Sequence, residues 1–163
     1  ETTAPNYISK EEVVRMKDVS GVTELTIVLD PIVVEKPIKE GDDLFKTLSL
    51  NPIHFDFDKS NIRPDAALEL AKIVKIMKEN PAMEIDVRSF TDSRGNDAYN
   101  MKLSERRAKS TAEWIVSHGI SSSRVTYKGY GETHLLNNCS NGVKCTDAEH
   151  ELNRRSEFIV TGI

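Results

Sequence analysis

From Leu48 onward, stretches of period-two hydrophobicity alternate with stretches of helical spacing, and this restricts the fold more than any other feature of the chain. In IHFDFD, Ile53, Phe55 and Phe57 share one face while His54, Asp56 and Asp58 share the other, the pattern of a half-buried strand. RPDAALELAKIVKIMKEN sets Leu68, Ala71, Ile73, Ile76 and Met77 near helical spacing. Pro64 suits the first turn of that helix, and Pro81 follows its expected end at Asn80. MEIDVRSF is a second strand. A helix from about Asn100 to His118 follows, stopped by Gly119, and RVTYKGYG is a third strand. DAEHELNRR suits a short helix and SEFIVTGI a last strand. Strands alternating with helices predict an α/β layered fold. No internal repeat is visible.

Residues 1–46 differ. VTELTIVLDPIVVEK is rich in β-branched residues, and Thr23, Leu25, Ile27 and Leu29 alternate with other residues, so at least one strand is expected. Pro31 suggests an edge or a strand end, and KEGDD marks a turn or linker. The segment is either a strap on the main domain or the tail of a preceding domain. With Glu at position 1 and no signal peptide, the chain reads as a mature or excised piece.

Composition narrows the classes. The chain has 163 residues, 38% hydrophobic and 29% charged, with a formal net charge of -4, so a basic footprint for nucleic acid is lacking. No apolar run reaches the roughly 18 residues that a membrane-spanning helix needs. Cys139 and Cys145 lie in NNCSNGVKCTD, where Asn, Ser and Gly suit a tight turn. A disulfide there implies an oxidising compartment; two free thiols are the plainer alternative. A zinc site would recruit His134, Asp147 or His150, but no second Cys pair or close His pair supports it. The disulfide is the favoured reading, as a brace for a surface loop outside any ligand pocket.

The stretch SFTDSRGNDAYNMKLSERRA reads as a strand end, a polar turn and a helix start. On a helical wheel with Leu103 at zero, the apolar side chains Leu103, Ala108, Thr111, Trp114 and Ile115 centre at roughly 70°, with Arg107 near 40° and Arg106 near 300°. Arg106 is therefore a surface charge, whereas Arg107 points toward the layer beneath and needs an acidic partner. Asp92, at the strand end where α/β sheets commonly hold ligands, is the natural candidate. Together they suit a zwitterion, with carboxylate on Arg107 and ammonium on Asp92. A structural Asp92–Arg107 ion pair without ligand explains the same residues equally well.

FDFDKSNIRPDA, TDSRGNDAYNMKLSERRA, YGE and NRRSEFIV together resemble the OmpA-like peptidoglycan-binding domain shared by OmpA C-terminal domains, Pal lipoproteins and MotB-type stators. The resemblance covers about residues 48 to 163. It implies an α/β (α+β) sandwich: a mixed four-stranded sheet with helices packed on one face, spanning residues 47–163 after a strand-containing extension at 1–46. It also implies a place on the periplasmic side of a Gram-negative outer membrane. The implied function is non-covalent anchoring to the cell wall through the diaminopimelate of the peptidoglycan stem peptide, without cofactor or metal. In the family, the acid of TD and the second arginine of RRA hold the zwitterionic end of diaminopimelate; here these are Asp92 and Arg107. Phe57, Asp58, Thr91, Asn100 and Leu103 are further contacts that the resemblance implies. Where many members have Gly-His before TD, this chain has Ser89-Phe90, which suggests a more apolar pocket floor. Residues 26 to 66 resemble the linker of Bacteroidetes outer-membrane proteins, one of which belongs to the type IX secretion machinery. That resemblance implies other envelope or secretion-system proteins as partners.

Two other functions fit parts of the chain. Asp56, Asp58, Asp86 and Asp92 are enough carboxylates for a cell-wall glycosidase. However, Asp56 and Asp58 recur on one strand face, where solvated acids are ordinary, and no nucleophile or phosphate-loop motif is present. A protein-binding module would use Thr23–Val34 to extend a partner's sheet, though packing within the domain explains that strand as well.

Overall fold

The computed structural model describes residues 12–18, 21–27, 37–55 and 59–163, with side chains from residue 37 onward. It divides into two compact units, Glu1–Pro37 and Ile38–Ile163. In the first, β1 (Glu12–Asp18) pairs antiparallel with β2 (Gly21–Ile27), from Glu12 opposite Ile27 to Asp18 opposite Gly21. The expected strand at Thr23–Ile27 is thus one arm of a hairpin; its continuation toward Val34 lies outside the described residues.

The second unit begins at Ile38 and takes in residues 38–46, which the sequence pattern grouped with the extension. Backbone bonds decide this: Gly41 N–H donates to the Val160 carbonyl at 2.8 Å, and Val160 N–H to the Asp42 carbonyl at 2.9 Å. Asp43 caps α1 (Leu44–Thr47) by accepting from Phe45 N–H, and the same oxygen accepts from Phe158 N–H. Burial pushes the Asp43 carboxyl above its ordinary pKa, and the two backbone donors only partly offset this.

The remaining elements are α2 (Pro64–Glu79), β3 (Glu84–Ser89), α3 (Asp97–Ser117), β4 (Val125–Gly129), α4 (Asp147–Asn153) and β5 (Ser156–Gly162). β3 is central, parallel to β4 and antiparallel to β5. A parallel neighbour requires a crossover, and α3 provides it. Ile85 and Val87 on β3, and Phe158 and Val160 on β5, are buried. They form one core with Leu70, Ile73 and Met77 of α2 and with Ile115 of α3. Each such side chain contributes about 1.5–3 kcal/mol on leaving water.

The expected four-stranded sheet is a three-stranded one among the described residues. Ile53, His54 and Phe55 belong to no strand, and 56–58 lie outside the described residues. The side chain of Glu69 on α2 takes both Asn51 N–H and Asn51 Nδ2, at 3.1 and 3.0 Å, and so holds the start of this segment beside the helix. Ile53 is nonetheless buried, as its alternation implied.

α3 begins three residues earlier than its apolar spacing suggested. Asn96 caps it, its Oδ1 accepting from Ala98 and Tyr99 N–H. Its middle lies hard against β4. A Cβ on Gly129 would sit 2.2 Å from Glu105 N and 2.6 Å from Ser104 Oγ. Glu105 Oε2 accepts from Gly129 N–H at 2.6 Å, and Ser104 Oγ from Gly131 N–H at 2.8 Å. This docking sets the height and rotation of α3, and hence where Asn100, Leu103 and Arg107 point.

Candidate functional site

Beyond the end of β3 the chain turns through residues 90–96 into α3, and a cleft of about 740 Å³ opens there. Thr91, Asp92, Asn100, Leu103 and Arg107 all line it, together with Phe55, Arg94, Gly95, Tyr99 and Arg154. Five of the seven residues singled out in the sequence are thereby brought to one cavity. Phe57 and Asp58 lie outside the described residues.

Asp92 is 6% exposed. Its Oδ2 accepts from Arg154 at 2.6 Å and from Arg94 Nη2 at 2.9 Å, and its Oδ1 accepts from Arg94 N–H at 2.9 Å. Oδ1 thus takes one hydrogen bond and keeps an acceptor direction for another. Burial pushes the Asp92 carboxyl up, but the bonds from Arg94 and Arg154 outweigh it and hold the group below the ordinary carboxylate range. Arg107 is half-buried; its Nε donates to the Lys59 carbonyl at 3.1 Å and its guanidinium lies 4.9 Å from the Phe55 ring centre. Arg106, its neighbour, is exposed. Thr91 is buried in the cleft wall, and its hydroxyl has no hydrogen-bond partner among the described residues.

A depressed acid pKa makes a pH prediction. A carboxyl lowered on folding adds stability above its unfolded value of about 3.9, lost as pH falls through the folded value. Asp92 therefore stays ionised through the mildly acidic range. Ligand affinity resting on its charge is expected to be flat from pH 7 to about pH 5 and to fall below about pH 4. Calorimetric titrations at stepped pH check this; a decline centred near pH 6 would point to a different group.

Two arginines of the cleft escaped the sequence reading. Arg154 lies 62 positions from Asp92 and reaches it only through the β3–β5 pairing. The NRR motif was the available signal, but nothing local shows which way its first arginine points. Arg94 lies in the polar turn, and its side chain is half exposed.

The OmpA family model matches residues 54–147. The chain belongs to the OmpA family. It is 38% identical over 108 residues to the outer membrane porin F of Pseudomonas fluorescens, covering 66% of this chain and 32% of the porin. It is 34% identical over 122 residues to outer membrane protein P5 of Haemophilus influenzae, covering 72% of this chain and 35% of that protein. The chain thus spans about a third of these relatives' length. Among solved structures, the peptidoglycan-associated lipoprotein of Burkholderia pseudomallei superposes with a TM-score of 0.61 at 21% identity, over 70% of this chain and 92% of that one. The cell wall anchor of the T6SS from Pseudomonas aeruginosa gives 0.57 at 21% identity, over 67% of this chain and 75% of that one. These likenesses show the expected mixed α/β OmpA-like fold, here with three strands among the described residues.

Against that family pattern, Ser89-Phe90 does not form the floor of the large cleft. Both line an adjoining cavity of about 60 Å³, which shares Phe55, Arg107 and Arg154 with the cleft. Phe90 stacks on Tyr130 at 5.1 Å, and the Arg155 guanidinium covers its ring at 3.9 Å. Ser89 Oγ bonds Ser156 Oγ at 3.1 Å across the β3–β5 pair. Aromatic stacking and the cation consume the apolar surface that Phe90 was expected to present.

Cys139 and Cys145 form a disulfide. Their sulfurs are bonded to one another, so neither offers a thiolate, although Glu149 lies close by. The loop does not line the cleft, yet it is not remote from it: Ser93 Oγ donates to the Cys139 carbonyl. No helix among the described residues is long and apolar enough to cross a membrane.

Proposed function

We propose that this OmpA-family domain binds peptidoglycan without covalent chemistry, by holding the free zwitterionic centre of diaminopimelate in the stem peptide. The observation that carries the reading is the convergence on one cleft of a buried carboxylate, Asp92, and three arginines, Arg94, Arg107 and Arg154. In this reading the ligand ammonium takes the open acceptor direction on Asp92 Oδ1, and the carboxylate lies against Arg107. Phe57 and Asp58 are proposed contacts on the resemblance alone. Asp92 is the only carboxylate among the cleft's described lining, whereas glycoside hydrolysis ordinarily uses two. The relatives named above carry outer-membrane or peptidoglycan-associated names, which supports a site facing the cell wall from the outer membrane. The linker-like sequence before the domain supports the finer assignment to a Bacteroidetes envelope complex of the type IX secretion kind.

The test is selectivity between stem peptides. A peptide with Lys in place of diaminopimelate keeps the side-chain amine and lacks the second carboxylate. The contact between Arg107 and the ligand carboxylate is then lost, and binding is expected to weaken at least about tenfold, the loss of one charged hydrogen-bond pair. Equal affinities by calorimetry would refute the zwitterion reading.

A further inference from the structure

The turn that carries Asp92 is held from outside by the disulfide loop, through Ser93, Glu132 and Asn141, which do not line the cleft, and through Arg94 and Asn100, which do. Asn141, inside the loop, donates from Nδ2 to Glu132 Oε1 at 2.7 Å. Glu132 Oε2 accepts from Asn100 Nδ2 at 2.6 Å. Asn100 Nδ2 also lies 3.3 Å from the Asp92 carbonyl and 3.2 Å from that of Arg94. Ser93 Oγ donates to the Cys139 carbonyl, and Arg94 Nη1 reaches Asp147, two residues beyond Cys145, at 2.7 Å. The segment from Asp92 to Asn100 is thus bonded to the loop at both ends.

The chemistry explains why a covalent closure matters here. The loop is short, polar and contains Gly142 at φ 84°, so an open chain would sample many conformations. Closing it at Cys139–Cys145 confines Asn141 within reach of Glu132. The Glu132 carboxylate then accepts from two amide donors at once, one on each oxygen.

We propose that Glu132 and Asn141, kept in register by the disulfide, are positioning residues for the Asp92 carboxylate, so that closing the disulfide raises the affinity of the cleft. The affinity part rests on the reading of the cleft as the peptidoglycan site. Glu132→Leu removes both acceptor oxygens. Glu132→Gln is the conservative control, since its amide oxygen accepts from Asn100 and its NH2 donates to a turned Asn141 amide.

Two measurements decide it. The first is hydrogen exchange at Arg94 N–H, which is bonded to Asp92 Oδ1 and needs no ligand. It is expected to exchange at least about tenfold faster in Glu132→Leu and in the Cys139→Ser/Cys145→Ser protein, with the Val87 amide unchanged and the rate largely kept in Glu132→Gln. The second is calorimetric affinity for a diaminopimelate muropeptide, expected to fall about tenfold in Glu132→Leu and in the disulfide-free protein and much less in Glu132→Gln. Unaltered Arg94 exchange in Glu132→Leu, or Glu132→Gln no better than Glu132→Leu, overturns the positioning role. Failure of the unsubstituted protein to bind the muropeptide would instead strike the reading of the cleft, and the exchange data would still decide the clamp.

Discussion

Asp92→Ala is expected to abolish measurable retention on purified sacculi while leaving the domain folded. The carboxylate is the only described negative charge in the cleft, and its open Oδ1 direction is where the ligand ammonium would bind. Removing one partner of a desolvated charge pair costs about 2–5 kcal/mol, or roughly thirty- to several-thousand-fold in affinity. The fold loses much less. The side chains of Arg94 and Arg154 are 50% and 34% exposed, so both guanidiniums regain water when Asp92 is absent. With Asp92 buried and both arginines open to water, each pair lies between the exposed case, about 0–1 kcal/mol, and the buried one, so its loss lowers Tm without unfolding the domain. Arg107→Ala is expected to weaken binding over the same range, and exposed Arg106→Ala by less than about threefold. Co-sedimentation with sacculi, paired with thermal melts, separates loss of binding from loss of fold. An Arg106→Ala defect equal to that of Arg107→Ala would contradict the assignment of the two faces of α3.

Gly129→Ala is expected to be the most damaging single-methyl change in the domain. The new carbon would lie 2.2 Å from Glu105 N and 2.6 Å from Glu105 Cα, against helix backbone that cannot swing aside as a side chain can. Either α3 lifts off β4 or β4 shifts within the sheet, and both movements break the bonds from Glu105 and Ser104 to the strand end. Overpacking of this type costs about 3 kcal/mol, which in a domain of this size is a fall in Tm of roughly 8–12 °C. The comparison that isolates the cause is Gly142→Ala in the disulfide loop, where the added carbon meets nothing within 4 Å. Gly142 has φ 84°, so its substitution carries backbone strain of about 1 kcal/mol without the clash. A larger loss at Gly142 than at Gly129 would show that the approach of α3 to β4 is looser than the structure has it.

Arg107, Asp92 and the succession of strands and helices were legible in the sequence because each depends on local periodicity. Short apolar runs marked β3 and β5, helical spacing marked α2 and α3, and the wheel angle separated Arg107 from Arg106 without knowledge of any neighbour. Proline and glycine punctuation placed both ends of α2 and the C-terminal end of α3. What the period could not carry is pairing. Whether IHFDFD joins a sheet depends on a partner edge, and among the described residues Asn51 is instead held by Glu69 from α2. Arg154 meets Asp92 only because β5 lies antiparallel to β3, and no pattern within NRRSEFIV states that. Phe90 turns from a pocket floor into a stacked layer for the same reason: Tyr130 and Arg155 come from other strands and loops. The disulfide loop, distant from Asp92 along the chain, is bonded to its turn because α3 and α4 bring the two segments together. Local composition decides what a segment can become; tertiary contact decides which donor finds which acceptor, since a hydrogen bond depends on distance in space and not on separation in sequence.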